Sequence, residues 1–217
     1  MTNLKPAILL GFYLLGLSGA AAAAAPYPPA GSWRFTVMLD GKRIGEHYFA
    51  VVRQANEVVV DTEAHFKVKV GFIPVFEYDH KDHEVWRNGC LGQINSRTHD
   101  NGNPFAVQGV LVGDGFEVQG AHGAVILPAC ISTFAYWDQH FLTEQRLLNS
   151  QSGEYQPVTV TREGIENLKV GAQTIPAQRY SLQAPKLDIT LWYSAAGDWV
   201  ALESKLENGR TLRYEIQ

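Results

Sequence analysis

The sequence predicts an all-β, mainly antiparallel domain, a strongly curved sheet or incomplete barrel of about eleven strands with one helix. Three observations carry that prediction: period-two alternation of apolar and polar residues along most of the chain, Asn-Gly and Asp-Gly dipeptides between the alternating runs, and a single late stretch where the period changes.

Asn-Gly and Asp-Gly tolerate the positive φ that a two-residue hairpin demands. Five occur: Asp40-Gly41, Asn88-Gly89, Asn101-Gly102, Asp114-Gly115 and Asn208-Gly209. Before the first, Trp33, Phe35, Val37 and Leu39 alternate with Arg34, Thr36 and Met38, and residues 44–52 return from the turn. In the next run Val58, Val60, Thr62, Ala64, Phe66, Val68 and Val70 share one face, with Asp61, Glu63, His65, Lys67 and Lys69 opposite, the mark of a sheet with one buried and one wet side. Residues 76–87 pair across Asn88-Gly89 with 91–99, and shorter strands follow at 105–112, 116–119 and 124–127. From Trp137 to Leu148 the spacing of Phe141, Leu142, Leu147 and Leu148 reads as a helix, with Asp138 as its cap and Asn149 as its stop. A meander closes the chain at 158–162, 168–170, 178–182, 189–193, 200–206 and 212–216. Curvature or near-closure deals with edges, since an open sheet this long would expose unpaired backbone.

Residues 1–25 read as a signal peptide. Lys5 supplies the positive start, residues 7–17 the apolar stretch, and the alanine run to Ala25 several small-residue cleavage sites. Alanine and glycine insert weakly into a bilayer and no basic cluster follows, so removal is expected and not anchoring. Residues 26–217 then form one β-rich domain, periplasmic or secreted, without stable membrane insertion. Loss of Lys5 leaves seventeen Lys and Arg against twenty-two Asp and Glu, a net charge of −5, which argues against a nucleic-acid partner and against charge-driven docking on anionic lipid. In an exported chain Cys90 and Cys130 are by default a disulfide, which closes a loop of about forty residues and stabilises by roughly 4 kcal/mol.

Several spaced strings resemble a family of exported bacterial proteins known as domain of unknown function 6134. They are Trp33 with Leu39-Asp40-Gly41 and Ile44-Gly45; Tyr78, His80, Glu84 and Trp86 ahead of Asn88-Gly89-Cys90-Leu91; and Thr98 with Asp100-Asn101-Gly102. Further on come Tyr136-Trp137, Leu148-Asn149 with Gly153, Leu191-Trp192-Tyr193, Trp199-Val200 with Leu202-Glu203, and Gly209-Arg210. The resemblance spans nearly the whole chain after the leader and implies secretion and a β-rich fold, but carries no activity. The C-terminal hairpins are also similar in style to periplasmic carriers whose incomplete barrels hold lipid chains, an architectural analogy that transfers no function by itself.

The densest titratable cluster is Tyr78-Asp79-His80-Lys81-Asp82-His83-Glu84-Val85-Trp86. On a strand His80 and His83 point to opposite sides, so the two cannot make a metal site. The same parity puts Tyr78, His80, Asp82, Glu84 and Trp86 on one face. If that face is concave, His80 and Glu84 form a polar anchor or a proton-transfer couple among aromatics; if convex, the charges are solvated decoration. Tyr136 and Trp137, entering the expected helix, and Tyr193 could line a cavity, although strands favour aromatics as core fillers too. Arg179, if inward, needs Asp188, Glu203 or Glu84 as partner or an anionic ligand head-group. The sequence carries no G-x-S-x-G elbow, H-E-x-x-H pair, phosphate-binding glycine loop or dinucleotide fingerprint. No catalytic residue, metal or cofactor is assigned. The best-supported expectation is a protein binding or carrying an apolar or amphipathic, lipid-like small molecule. The alternatives are an envelope-associated hydrolase or lyase using His80 and Glu84, or an accessory protein that binds an envelope partner through a sheet edge.

Overall fold

The computed structural model describes residues 31–54, 56–70 and 72–217, so the signal-peptide reading of residues 1–25 lies outside the described residues. The described residues build fifteen strands: β1 Gly31–Leu39, β2 Lys42–Gln54, β3 Glu57–Val70, β4 Ile73–Arg87, β5 Cys90–Asp100, β6 Asn103–Val112, β7 Gly115–Gly120, β8 Gly123–Pro128, β9 Arg146–Leu148, β10 Tyr155–Pro157, β11 Thr159–Val170, β12 Gln173–Ala184, β13 Leu187–Ser194, β14 Trp199–Lys205 and β15 Thr211–Ile216. Thirteen form one antiparallel sheet in the order β11-β12-β13-β14-β15-β1-β2-β3-β4-β5-β6-β7-β8, and β9 pairs with β10 apart from it. The all-β, antiparallel class is as expected, with more strands than the eleven anticipated. The sheet does not close: its edges are β8 and β11, and the first and last strands meet in its middle as β1 and β15.

Three of the five dipeptides make the two-residue hairpins expected of them. In Asp40-Gly41, Asn88-Gly89 and Asn101-Gly102 both residues hold positive φ. The other two differ. The β6–β7 turn is Gly113-Asp114, one residue earlier than Asp114-Gly115, because Gly113 supplies the positive φ. Between β14 and β15 only Gly209 is left-handed, inside a longer loop in which Leu206 N–H donates to the Arg210 carbonyl.

Alternation then decides the inside. Trp33, Phe35 and Val37 on β1, Phe49 and Val51 on β2, and Val58, Val60, Ala64 and Phe66 on β3 are buried in a single core, and Leu39 on the same face of β1 is buried too. The outer face of β3 and β4 carries a ladder of polar cross-strand pairs: Asp61 with His83 at 2.7 Å, Glu63 with Lys81 at 2.9 Å and Lys67 with Glu77 at 2.8 Å. Such exposed pairs contribute little stability each, roughly 0–1 kcal/mol, but they set register and keep charge outside.

The connection from β8 to β11 runs through the interior and is the part that alternation could not foretell. The helix expected over Trp137–Leu148 is not formed. Asp138 does cap, accepting from His140 N–H, but it caps a five-residue 3-10 segment, Gln139–Thr143, and the chain then extends into β9. Leu147 and Leu148 are both fully buried although adjacent, because they lie between sheet walls and not on one side of a rod. Enclosure on both sides removes the one-faced environment that stabilises a short helix. Asn149 does not end a helix; its Oδ1 accepts from the N–H groups of Gln151 and Ser152 in the β9–β10 turn.

This inner segment is fastened to the wall at several points. Cys90 and Cys130 form the expected disulfide, with Cα atoms 4.9 Å apart. Leu91 N–H donates to the Ile131 carbonyl at 3.0 Å, Ala121 N–H to that of Ser152 at 2.8 Å, and the Ser96 hydroxyl to that of Ser150. Gly120 and Gly153 meet backbone to backbone: a Cβ on Gly120 would lie 2.5 Å from the Ser152 carbonyl oxygen.

Candidate functional site

A cavity of about 700 Å³ lies between the inner segment and the concave face of the sheet. Its lining reaches Leu39 at the end of β1, Ile44 at the start of β2, Val68 and Val75 around the β3–β4 turn, and Asn208 in the β14–β15 loop, which are all at one end of the sheet. Val75 and Asn208 are solvent-exposed, so this end is the mouth. From Val75 down β4 to Glu84 the wall runs for about 30 Å at the usual strand rise. One side of the cavity is aliphatic, with Leu187, Ile189, Leu202, Leu206 and Leu212 from β13 to β15. The other side is polar.

That polar side is the even-numbered face of β4. His80, Asp82, Glu84 and Trp86 are buried while Lys81, His83 and Arg87 are exposed, as strand parity requires. Tyr78, His80, Asp82 and Glu84 line the cavity. Tyr78 lies parallel to the ring of Phe66, and its hydroxyl donates to Gln151 Oε1 at 3.1 Å; Gln151 Nε2 in turn donates to Asp100 Oδ2 at 3.3 Å. His80 Nδ1 is 2.8 Å from the Thr98 hydroxyl. Burial lowers the His80 pKa to about 4, so its ring is neutral at physiological pH.

Glu84 is partnered by Asp82 and not by His80. His80 and Glu84 are four residue steps apart on the strand, about 13 Å along the backbone. Glu84 instead accepts from the Trp86 indole N–H at 2.8 Å, and is hydrogen-bonded to the Thr133 hydroxyl and to Asp82. Burial, followed by the neighbouring Glu84 charge, holds the Asp82 carboxyl well above the ordinary range; burial raises Glu84 too. The hydrogen bond between them favours the proton on Asp82. Asp82 Oδ1 is buried without a partner.

Trp137 lines the cavity and meets Trp86 edge to face at 5.5 Å, so Trp86 stands behind the wall, orienting Glu84. Tyr136 also lines it, against Trp199 at 5.3 Å. Tyr193 is buried outside the lining, and its hydroxyl donates to the Tyr136 carbonyl at 2.9 Å, which positions the inner segment. Arg179 is a correction: it is absent from the lining and pairs with Glu163 at 2.9 Å, not with Asp188, Glu203 or Glu84. Its neighbour Tyr180 takes the inward position, and period two sends Arg179 to the other face.

Among the lining residues not assigned as a site from the sequence, four bear on the chemistry. Asp82 carried a usable signal, since it shares the parity of His80 and Glu84. His47 lies on the inward face of β2 with Phe49 and Val51; its Nδ1 is 3.3 Å from the Tyr214 hydroxyl, its Nε2 is buried without a partner, and burial takes its pKa to about 3. Thr133 and Gln151 come from the inner segment, and no local pattern announces them. Among the described residues no group of three His, Cys, Asp or Glu side chains could hold a metal ion.

Fold and cavity together define an incomplete antiparallel β-barrel whose interior holds a cavity between the wall and a disulfide-fastened inner segment. The chain belongs to the family described as domain of unknown function DUF6134, whose model matches residues 35–217. No curated protein matches it. Among solved structures it is similar to a β-barrel-like protein of domain of unknown function DUF1849 from Brucella abortus, with a TM-score of 0.64 at 10% identity over 87% of this chain and 95% of that one. At that identity the likeness is one of fold.

Proposed function

We propose that this protein binds and carries an apolar or amphipathic small molecule inside the barrel. The observation that supports it is the cavity of about 700 Å³, open at one end, with an aliphatic wall facing a polar one. Pockets for small molecules have this size and this mixture of broad apolar surface with few placed polar groups. Phe72 and Ile73 are exposed beside Val75 at the tip of the β3–β4 hairpin, giving the mouth an apolar rim.

Hydrolysis on the same face is the weaker account. Asp82 and Glu84 touch, whereas two carboxyls that flank a glycosidic bond stand about 5 Å apart or more. Glu84 already accepts from Trp86 and Thr133, which leaves little of it for a substrate.

The site of action we propose is the periplasm or the medium. The leader-like residues 1–25 and the Cys90–Cys130 disulfide support that compartment. Fractionation with N-terminal sequencing tests it; a product that keeps residues 1–25 in the cytoplasm overturns it.

Native mass spectrometry of protein recovered from the producing cells, together with titration by the neutral fluorophore N-phenyl-1-naphthylamine, tests the carrier proposal. Saturable fluorescence with one probe per chain, or a co-purified small molecule, is expected. An empty protein that leaves the fluorophore dark overturns it.

A further inference from the structure

The interior chemistry constrains the occupant's polar end. Among the described residues that line the cavity, Asp82, Glu84 and Asp100 are acidic, and Arg210 is the sole Lys or Arg. Arg210 lies at the mouth and its guanidinium donates to Asp40 Oδ2 at 2.6 Å, so it is already neutralised. Arg179, the cation that could have met an anionic head, is held by Glu163 away from the lining. An anionic head drawn inside would therefore join buried carboxyl groups with no counter-cation, which is costly in a low-dielectric interior.

Two lining residues keep a buried atom without a hydrogen bond, His47 Nε2 and Asp82 Oδ1; the His47 ring is neutral and adds no counter-cation, and Asp82 points the same way. Asp82 is 7% exposed, lines the cavity, and keeps Oδ1 free of any hydrogen bond. Its neighbour Glu84 is already engaged by the Trp86 indole N–H and by Thr133. What remains is an acceptor buried in a site that offers it nothing. A carboxylate head has only acceptors and cannot satisfy it; a hydroxyl or an amine can.

We infer that the occupant's polar end is a hydrogen-bond donor without negative charge, a hydroxyl or an amine, seated against Asp82. This rests on the cavity being the binding site proposed above. The aliphatic side chains of β13 to β15 then take the apolar part of the same molecule.

Competition among three probes of equal chain length tests it: dodecan-1-ol, dodecylamine and dodecanoic acid, each displacing N-phenyl-1-naphthylamine from the intact protein near neutral pH. The alcohol and the amine are expected to displace at concentrations about ten-fold or more below the acid. Equal or better displacement by dodecanoic acid overturns the inference and leaves the cavity proposal standing. No binding of fluorophore or any probe overturns both. Asp82→Asn, checked for fold by circular dichroism and for retained fluorophore binding, is expected to narrow the preference to about two-fold or less. A preference unchanged in that variant overturns the assignment to Asp82, and the wild-type competition decides the head-group class even if the variant does not fold.

Discussion

Asp82 is a carboxyl group kept where charge is disfavoured, and its effect on stability has a definite sign. Folding raises its pKa above the ordinary 3.8, so the folded chain holds a proton that the unfolded chain releases. The site costs nothing at acid pH and becomes destabilising as pH rises from about 4 toward the raised value, at about 1.4 kcal/mol per unit. Asp82→Asn cannot ionise and should be more stable than wild type near pH 8, with the difference fading near pH 4, as urea denaturation at both values would show. His47 and His80 act in the opposite sense. Their folded pKa values, about 3 and about 4, lie below the ordinary 6.5, so the stability they preserve above that value is lost as pH falls through the window. A His47→Gln, His80→Gln double variant should gain on wild type between about pH 6 and pH 4 by up to ~1.4 kcal/mol per unit per histidine, measured by the same titration. Equal slopes for the two proteins across that window would refute the burial of these rings as neutral groups.

At the scale of elements, the inner segment from β8 to β11 holds the site together. It supplies Thr133, Tyr136, Trp137 and Gln151 to the cavity and is bound to the wall by the Cys90–Cys130 bridge. Replacing both cysteines by serine should cost about 2–4 kcal/mol in denaturant titration and raise hydrogen exchange selectively at Leu91 and Leu148, whose N–H groups donate across the wall-to-segment contact and within the inner segment. Gly120→Ala introduces a Cβ against the Ser152 carbonyl, and neither backbone has a flexible end to yield. The expected cost is about 1–3 kcal/mol in thermal or urea unfolding. The same segment marks the limit of local pattern reading. The spacing of Phe141, Leu142, Leu147 and Leu148 suits a helix, and Asp138 does cap, yet only one 3-10 segment forms because the walls bury Leu147 and Leu148 together. The hairpins were legible for the converse reason: in Asn88-Gly89 and Asn101-Gly102 the turn chemistry is local and needs no distant partner.

For the molecule as a whole, the cavity exists because the sheet curls around a chain segment that fills only part of its interior. Leu212→Trp, at the aliphatic wall near the mouth, should reduce N-phenyl-1-naphthylamine affinity by about five-fold or more while shifting the unfolding midpoint little, since the space it enters is not occupied by protein. Unchanged affinity with an intact fold would show that the fluorophore binds elsewhere. The polar wall was half visible beforehand. Period two placed Tyr78, His80, Asp82 and Glu84 on one side, because alternation is a property of the strand alone. That this side is concave, that Glu84 bonds to Asp82 and not His80, and that Arg179 faces away depend on how thirteen strands curve and where residues 129–158 are threaded.

The amino-acid order by itself determined the all-β class, the turns at its strongest Asn-Gly and Asp-Gly sites, the parity of β4 and the pairing of Cys90 with Cys130, because each follows from local backbone geometry or simple counting. Only the tertiary structure decided which face is hollow, which carboxyls meet and what the β8–β11 connection becomes. Those outcomes rest on burial between segments far apart in sequence, and burial overrides local propensity wherever a chain is enclosed on both sides.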